Sequence, residues 1–227
     1  MSIEQMSPSQ RAPFLMCGSD VEIASDVDIG CNVVLYAGTR IGSGCEIGHG
    51  AIIGRPSRVS VASVASDGAP APTIIGPRSI IGAYAIICAG VQMDEDAYVG
   101  DHALVREGTR LGARVSVGFS CSISRNVIIG ADTRLQGFCG FPQDTIIEER
   151  CSIGPYVVAL ASTFSDRDAE TSKVVRIEAG SRLGSAVQLM PGVTVGSHSV
   201  VGTGSIVTRN VEPGAVVAGS PARTLQR

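Results

Sequence analysis

The chain has 227 residues, a formal charge of −3 and 44% hydrophobic residues, with five Phe, four Tyr and no Trp. That balance excludes a basic nucleic-acid or anionic-membrane surface, and no apolar run approaches the roughly 18 residues of a membrane helix. The length suits a single domain with a mainly aliphatic core.

Residues 1–16 read as a polar lead-in without the basic-then-apolar pattern of a signal peptide, so the expected location is the cytoplasm. From Cys17 the sequence falls into sixes: CGSDVE, IASDVD, IGCNVV, LYAGTR, IGSGCE, IGHGAI. Residues 55–73, rich in Pro, Ser, Ala and Gly, break the pattern and predict a protruding loop. From Ile75 to Val158 fourteen hexads follow without a slip. Their first position is always apolar, seven carry Gly at the second, and the fifth is small or β-branched. Residues 159–176, polar in their middle, predict a second excursion. Its eighteen residues equal three hexads and leave the phase intact when IEAGSR, LGSAVQ, LMPGVT, VGSHSV, VGTGSI and VTRNVE resume. Residues 218–227 read as a C-terminal tail.

A strict period of six is neither helical nor a simple strand alternation. One aliphatic and one small residue pointing inward per hexad predict a short strand and a turn, stacked as a parallel β-helix. A β-sandwich would not hold one phase for so long. The hexads predict an all-β solenoid over residues 17–217. Four of the seven cysteines, Cys45, Cys121, Cys139 and Cys151, occupy the small inward slot, and their spacing follows the repeat rather than a metal or disulfide pattern.

These hexads, with the ending VEPGAVVAGSPAR at Val211 to Arg223, resemble the hexapeptide-repeat acyltransferases. The resemblance implies a left-handed parallel β-helix of three hexads per coil, about nine coils in all, with two protruding loops, a homotrimer, and acetyl-CoA or another acyl-CoA bound between subunits. It implies backbone contacts from Gly202, Thr203 and Gly204 to the pantetheine amides, with Pro221 and Arg223 near the adenosine end, where Arg223 would pair with a phosphate.

Acyl transfer needs a proton acceptor and donors for the developing oxyanion. The chain has three histidines. His49 and His198 read as solvated turn residues. His102 is the candidate catalytic base. Steps of eighteen stack it with Ser120, Phe138 and Tyr156, beside a strip formed by Gly100, Gly118, Gln136 and Gly154 that looks bare enough for a flat ligand. Arg106, Glu107 and Gln136 are the candidate substrate contacts. The run VGDHALVREGTRLG with the SDRD loop resembles the branch that N-acetylates nucleotide-linked amino sugars, which is the expected activity. Two departures stand against a closer placement. The loop 159–176 has no His, where the galactoside branch carries one. LQGFCG has Gly137 and Phe138 where several amino-sugar enzymes carry Asn. Alternatives are an O-acetyltransferase on a hydroxyl acceptor, a non-catalytic scaffold, and a zinc enzyme of the γ-carbonic anhydrase class, which VREG and TRLQG resemble. Zinc would need three convergent ligands, and His102 stands alone in the central run, so no metal is expected.

Overall fold

The computed structural model describes residues 7–56, 71–162 and 173–225. Among them every regular element is a strand, mostly of two residues, and no helix is long and apolar enough to cross a membrane. The strands form three sheets of eleven, eleven and nine. Face I begins at Leu15–Cys17 and ends at Ile206–Val207, face II runs from Glu22–Ile23 to Thr194–Val195, and face III from Asp28–Ile29 to Val216–Gly219. The chain visits them in turn, so each strand pairs in parallel with the one a full coil away, as Leu104–Val105 does with Ser122–Ile123. Antiparallel additions close each end: Ser7–Ser9 on face I and Ala222–Thr224 on face III. Subtracting them leaves ten parallel rungs on each of these faces, one more than the nine coils expected. The extra rung comes from entering the rod at Leu15–Cys17 and from the shortened final coil.

The core follows the hexad. First-position residues such as Ile81, Val99, Val105, Ile123 and Ile153 are at most 1% exposed, and fifth-position Ala, Val, Cys, Thr and Ser fill the spaces between them. Burying each large aliphatic contributes about 1.5–3 kcal/mol. Between coils, turn amides continue the ladder, as Gly100 N–H donates to Val117 O at 2.8 Å and His102 N–H to Ala83 O at 2.9 Å.

Register exposes the true length of each excursion. Across the first, Ile41 pairs with Ile75 and Ile47 with Ile81, an offset of 34 rather than 18, so sixteen residues are inserted. Across the second, Ile147 pairs with Ile177 and Ala159 with Leu189, an offset of 30. The excursion is therefore twelve residues, not the eighteen read from the sequence. Ala159 and Val175, both inside the 159–176 segment, are buried members of the rod. The bodies of both excursions lie outside the described residues. In the last coil Val201 pairs with Val217, an offset of 16, so two residues are missing from the turn 208–210. Residues 218–224 are not a free tail, because they build the hairpin that ends face III.

Candidate functional site

The rod has three corners, and their chemistry differs. In the turns of the central coils the fourth hexad position adopts the left-handed conformation, with φ of +52° to +62° at non-glycine residues. That region favours Gly, Asn and Asp. The corner between faces I and II obeys this rule with Gly90, Gly108, Asn126 and Asp144. The corner between faces II and III carries a charge ladder. Arg78 Nε and Nη2 donate to the two carboxylate oxygens of Asp96 at 2.7 Å, and Arg114 repeats the fork with Asp132 at 2.6 and 2.9 Å. The guanidinium beside each holds the Asp96 and Asp132 carboxyls below the usual carboxylate range. This ladder is fully paired and exposed, which suits a structural role.

The corner between faces III and I is different. Its fourth positions are Tyr84, His102, Ser120, Phe138 and Tyr156, all at positive φ. The His102 ring lies parallel to Tyr84, with centroids 5.3 Å apart and planes 7° apart. Phe138 and Tyr156 stack at 4.9 Å and 8°, and Phe119 meets Phe138 edge-on at 4.8 Å. His102 is thus oriented by an aromatic face. Asp101, its neighbour in sequence, accepts the Ala83 N–H at 2.7 Å. Among the described residues no carboxylate hydrogen-bonds the His102 imidazole.

His49 shares this corner at a third position. Its Nδ1 accepts the Cys31 N–H at 2.9 Å and lies 3.2 Å from Cys31 Sγ. An Nδ1 that accepts a backbone N–H leaves the neutral ring with its proton on Nε2, so His49 is set up as a donor. A groove of about 780 Å³ on face III runs beside it, lined by Glu46, Ile80, Tyr98 and Asp101 among others. Burial pushes the Cys45, Cys88 and Cys151 thiols up, and the neighbouring Cys121 together with burial pushes Cys139 up, while the hydrogen bond with Cys139 holds the Cys121 thiol below its ordinary range. Among the described residues no group of three or more His, Cys, Asp or Glu gathers as a metal site.

A family model for the hexapeptide repeat of succinyl-transferase matches residues 174–209. Two curated relatives are bifunctional GlmU proteins. That of Mycobacterium sp. (strain KMS) is 34% identical over 156 residues, which cover 68% of this chain and 28% of the relative. That of Heliobacterium modesticaldum is 32% identical over 151 residues, covering 63% and 31%. The chain thus spans about a third or less of the length of these relatives. Among solved structures, a mutant GDP-perosamine N-acetyl transferase from Caulobacter crescentus, in complex with CoA and GDP-perosamine, aligns with a TM-score of 0.50. It is 21% identical and covers 61% of this chain and 59% of that one, a likeness of fold. The chain is a hexapeptide-repeat protein of the left-handed β-helix fold.

In this hexapeptide-repeat protein His102, Gln136, Gly202, Thr203 and Gly204 all fall on the corner between faces III and I. His102 and Gly204 are five coils apart, about 24 Å along the rod at about 4.8 Å per coil. Arg106 and Glu107 do not join them. They lie on the next corner, beyond Leu104–Val105, and pair with each other at 2.9 and 3.2 Å. Pro221 and Arg223 sit in the terminal hairpin, with Arg223 opposite Ala218. His198 is on the corner of the charge ladder, over Gly180. The glycine strip is not a bare slot for a ligand. A Cβ on Gly100 would lie 2.7 Å from Phe119 N, on Gly118 2.6 Å from Gln136 C, and on Gly154 2.7 Å from Ser185 N. The next coil's backbone already occupies that space, and close coil packing is what requires glycine there. Gly202 continues the strip and is also crowded, by Ala218 Cβ at 2.8 Å, whereas Gly204, two residues on at the positive-φ fourth position, has nothing within 4 Å of its missing Cβ.

The sequence reading passed over three members of this corner. Tyr84 is eighteen residues before His102 and was within reach of the same stacking rule. Phe119 and His49 occupy third positions, whose side chains the period alone does not aim.

Proposed function

We propose that this protein transfers an acyl group, acetyl in the first instance, from coenzyme A to the amine of an amino sugar linked to a nucleotide. The observation that carries the reading is the C-terminal end of the ligand-bearing corner. There Gly202, Thr203 and the open Gly204 lie beside the hairpin bearing Pro221 and Arg223, within and just beyond the segment matched as a succinyl-transferase repeat. The Gly202 and Gly204 N–H groups already donate to Val217 O and Ser185 O at 2.8 Å, so what this turn offers a pantetheine arm is the unfilled space beside Gly204. Arg223 has no carboxylate partner among the described residues, and its guanidinium suits a phosphate of coenzyme A. GDP-perosamine, held with CoA in the Caulobacter structure, exemplifies the acceptor class.

In this reading the acceptor amine attacks the thioester carbonyl carbon, the C–N bond forms and the C–S bond breaks, releasing the thiol of coenzyme A. His102, its ring fixed by Tyr84, takes the proton that the amine loses. Holding the two substrates together supplies further acceleration.

A homotrimer completes the site. Face I turns Val34, Ile52, Ile86, Leu104, Val158 and Ile206 outward, interrupted by Ser122, Gly140 and Gln188, a largely apolar face suited to a subunit interface. A threefold axis parallel to the rod keeps every residue at its own height. The two corners flanking face I, one from each neighbour, then face each other across the boundary. His102 and the Arg106–Glu107 pair belong to one coil, so they would meet between subunits although one chain keeps them apart. Coenzyme A as donor and seven free cysteines support a cytoplasmic setting.

The test is turnover. Purified protein with acetyl-CoA and UDP-, GDP- and dTDP-linked amino sugars should release thiol and yield an acetylated sugar by mass spectrometry. Absence of both acetyl-CoA binding and thiol release with every amine and hydroxyl acceptor would overturn the reading.

A further inference from the structure

We infer that the Phe138–Tyr156 stack is a platform for a nucleobase, which stacks on the free face of Tyr156 at the level of Ala186. The inference rests on the acyl-transfer reading above, which supplies base-bearing ligands. Of the chain's nine aromatics, five are on the corner between faces III and I: Phe14, Tyr84, Phe119, Phe138 and Tyr156. Among the described residues Phe141 alone of the aromatics sits in the buried core. Tyr156 is 56% exposed, Phe119 51% and Phe138 42%. Burial therefore does not explain these rings.

Backbone preference does not explain them either. Phe138 and Tyr156 hold φ of +62° and +61°, where bulky residues cost about 1 kcal/mol or more and Gly or Asn would cost little. The corner between faces II and III also holds bulky residues at positive φ, Arg78, Arg114, Arg150 and His198, but Arg78 and Arg114 are paired with carboxylates of the same ladder and none of these turns carries Phe or Tyr. Exposed Phe and Tyr held at strained turns without a charge partner are a pointer to function there.

The stack also stops short. Fourth-position side chains lie back over the preceding coil, as His198 does over Gly180 and Tyr84 over Gly50. Tyr156 stacks on Phe138, and the next two fourth positions are Ala186 and Gly204. Its far face has no ring partner among the described residues, and the Gly204 rung is open. Rungs about 4.8 Å apart leave room for a planar ring to continue the ladder, and aromatic stacking accepts any base. The base belongs either to coenzyme A or to the nucleotide of the acceptor. Gln136, exposed in the Phe138 turn, offers an amide donor and acceptor nearby in sequence.

The experiment uses the full chain with Tyr156→Asn and Phe138→Asn. Asn keeps the left-handed turn, so both variants should melt no lower than wild type. Calorimetric titration compares coenzyme A, the base-free S-acetyl-phosphopantetheine, UDP, GDP and dTDP. We expect Kd for at least one base-bearing ligand to rise about fivefold or more in Tyr156→Asn, with the base-free thioester unaffected. A loss confined to coenzyme A places adenine on the platform, and one confined to the diphosphates places the acceptor's base there. Unchanged affinity for every base-bearing ligand, an equal loss for the base-free thioester, or a changed solution mass, which would make the ladder a subunit interface, overturns the inference. If wild type binds these ligands and the variants match it, only this inference fails. If wild type binds none, the acyl-transfer reading fails and carries this one with it.

Discussion

Replacing Gly100 with Ala should destabilise the rod without touching a ligand contact. The added Cβ would meet Phe119 N at 2.7 Å, Gly118 C at 2.9 Å and Phe119 Cα at 3.0 Å. Reaching van der Waals contact requires the coils to part locally by roughly 0.5–1 Å. The bonds that resist are Gly100 N–H to Val117 O and Ser120 N–H to Asp101 O, both 2.8 Å. Overpacking costs about 1–3 kcal/mol, and each stretched hydrogen bond loses part of its about 0.5–1.5 kcal/mol. Reduced freedom of the unfolded chain returns about 0.4–1 kcal/mol. The net loss is about 1–4 kcal/mol, or roughly 3–15 °C of Tm for a chain of this size. Gly140→Ala is the control, since its Cβ would meet only the Val158 methyls at 3.8 and 3.9 Å. Scanning calorimetry should show a large drop for Gly100→Ala and little change for Gly140→Ala. If Gly100→Ala keeps the wild-type Tm and instead loses coenzyme A or acceptor affinity, the strip is a ligand slot and the coil-packing account is wrong.

Replacing His102 with Ala should lower kcat at least about tenfold with coenzyme A affinity intact. Full kcat across pH about 6 to 9 would remove the base from the mechanism. Light scattering at micromolar concentration should give three chains per particle, and a monomer mass would refute the shared site. In oligomers refolded from His102→Ala and Glu107→Gln chains together, some boundaries regain both native residues, so activity should exceed that of either variant alone. Additive residual activity would show that the two residues do not meet. The fourth test is acid stability of Asp96→Asn. The carboxyl is held below its usual range by Arg78, so its contribution is present above the unfolded pKa of about 4 and disappears as pH falls through the lower folded value. The variant should melt below wild type at pH 7, more so at low salt, and the gap should close near pH 2. A gap that persists there would mean that the ion pair is not its source.

The hexad by itself determined much of this protein. Inward aliphatics can face only the rod interior when strand and turn repeat every six residues, so the core was readable by counting, and with the three hexads per coil implied by the family resemblance so were the three faces and the alignment of His102, Ser120, Phe138 and Tyr156. The same counting put Gly202 to Gly204 on the edge that carries His102. Counting failed where the chain leaves the rod, because an excursion need only re-enter on the correct face. Its length is set by strand pairing, and the offsets of 34, 30 and 16 appear only in the folded ladder. Only the tertiary structure separated Arg106 and Glu107 from His102, because four residues along the chain cross one face and turn onto another corner. It alone revealed why the second-position glycines are needed, since the atoms that exclude a side chain there belong to the next coil. It also set His102 against Tyr84 rather than Asp101, since that choice depends on which neighbouring coil each side chain leans toward.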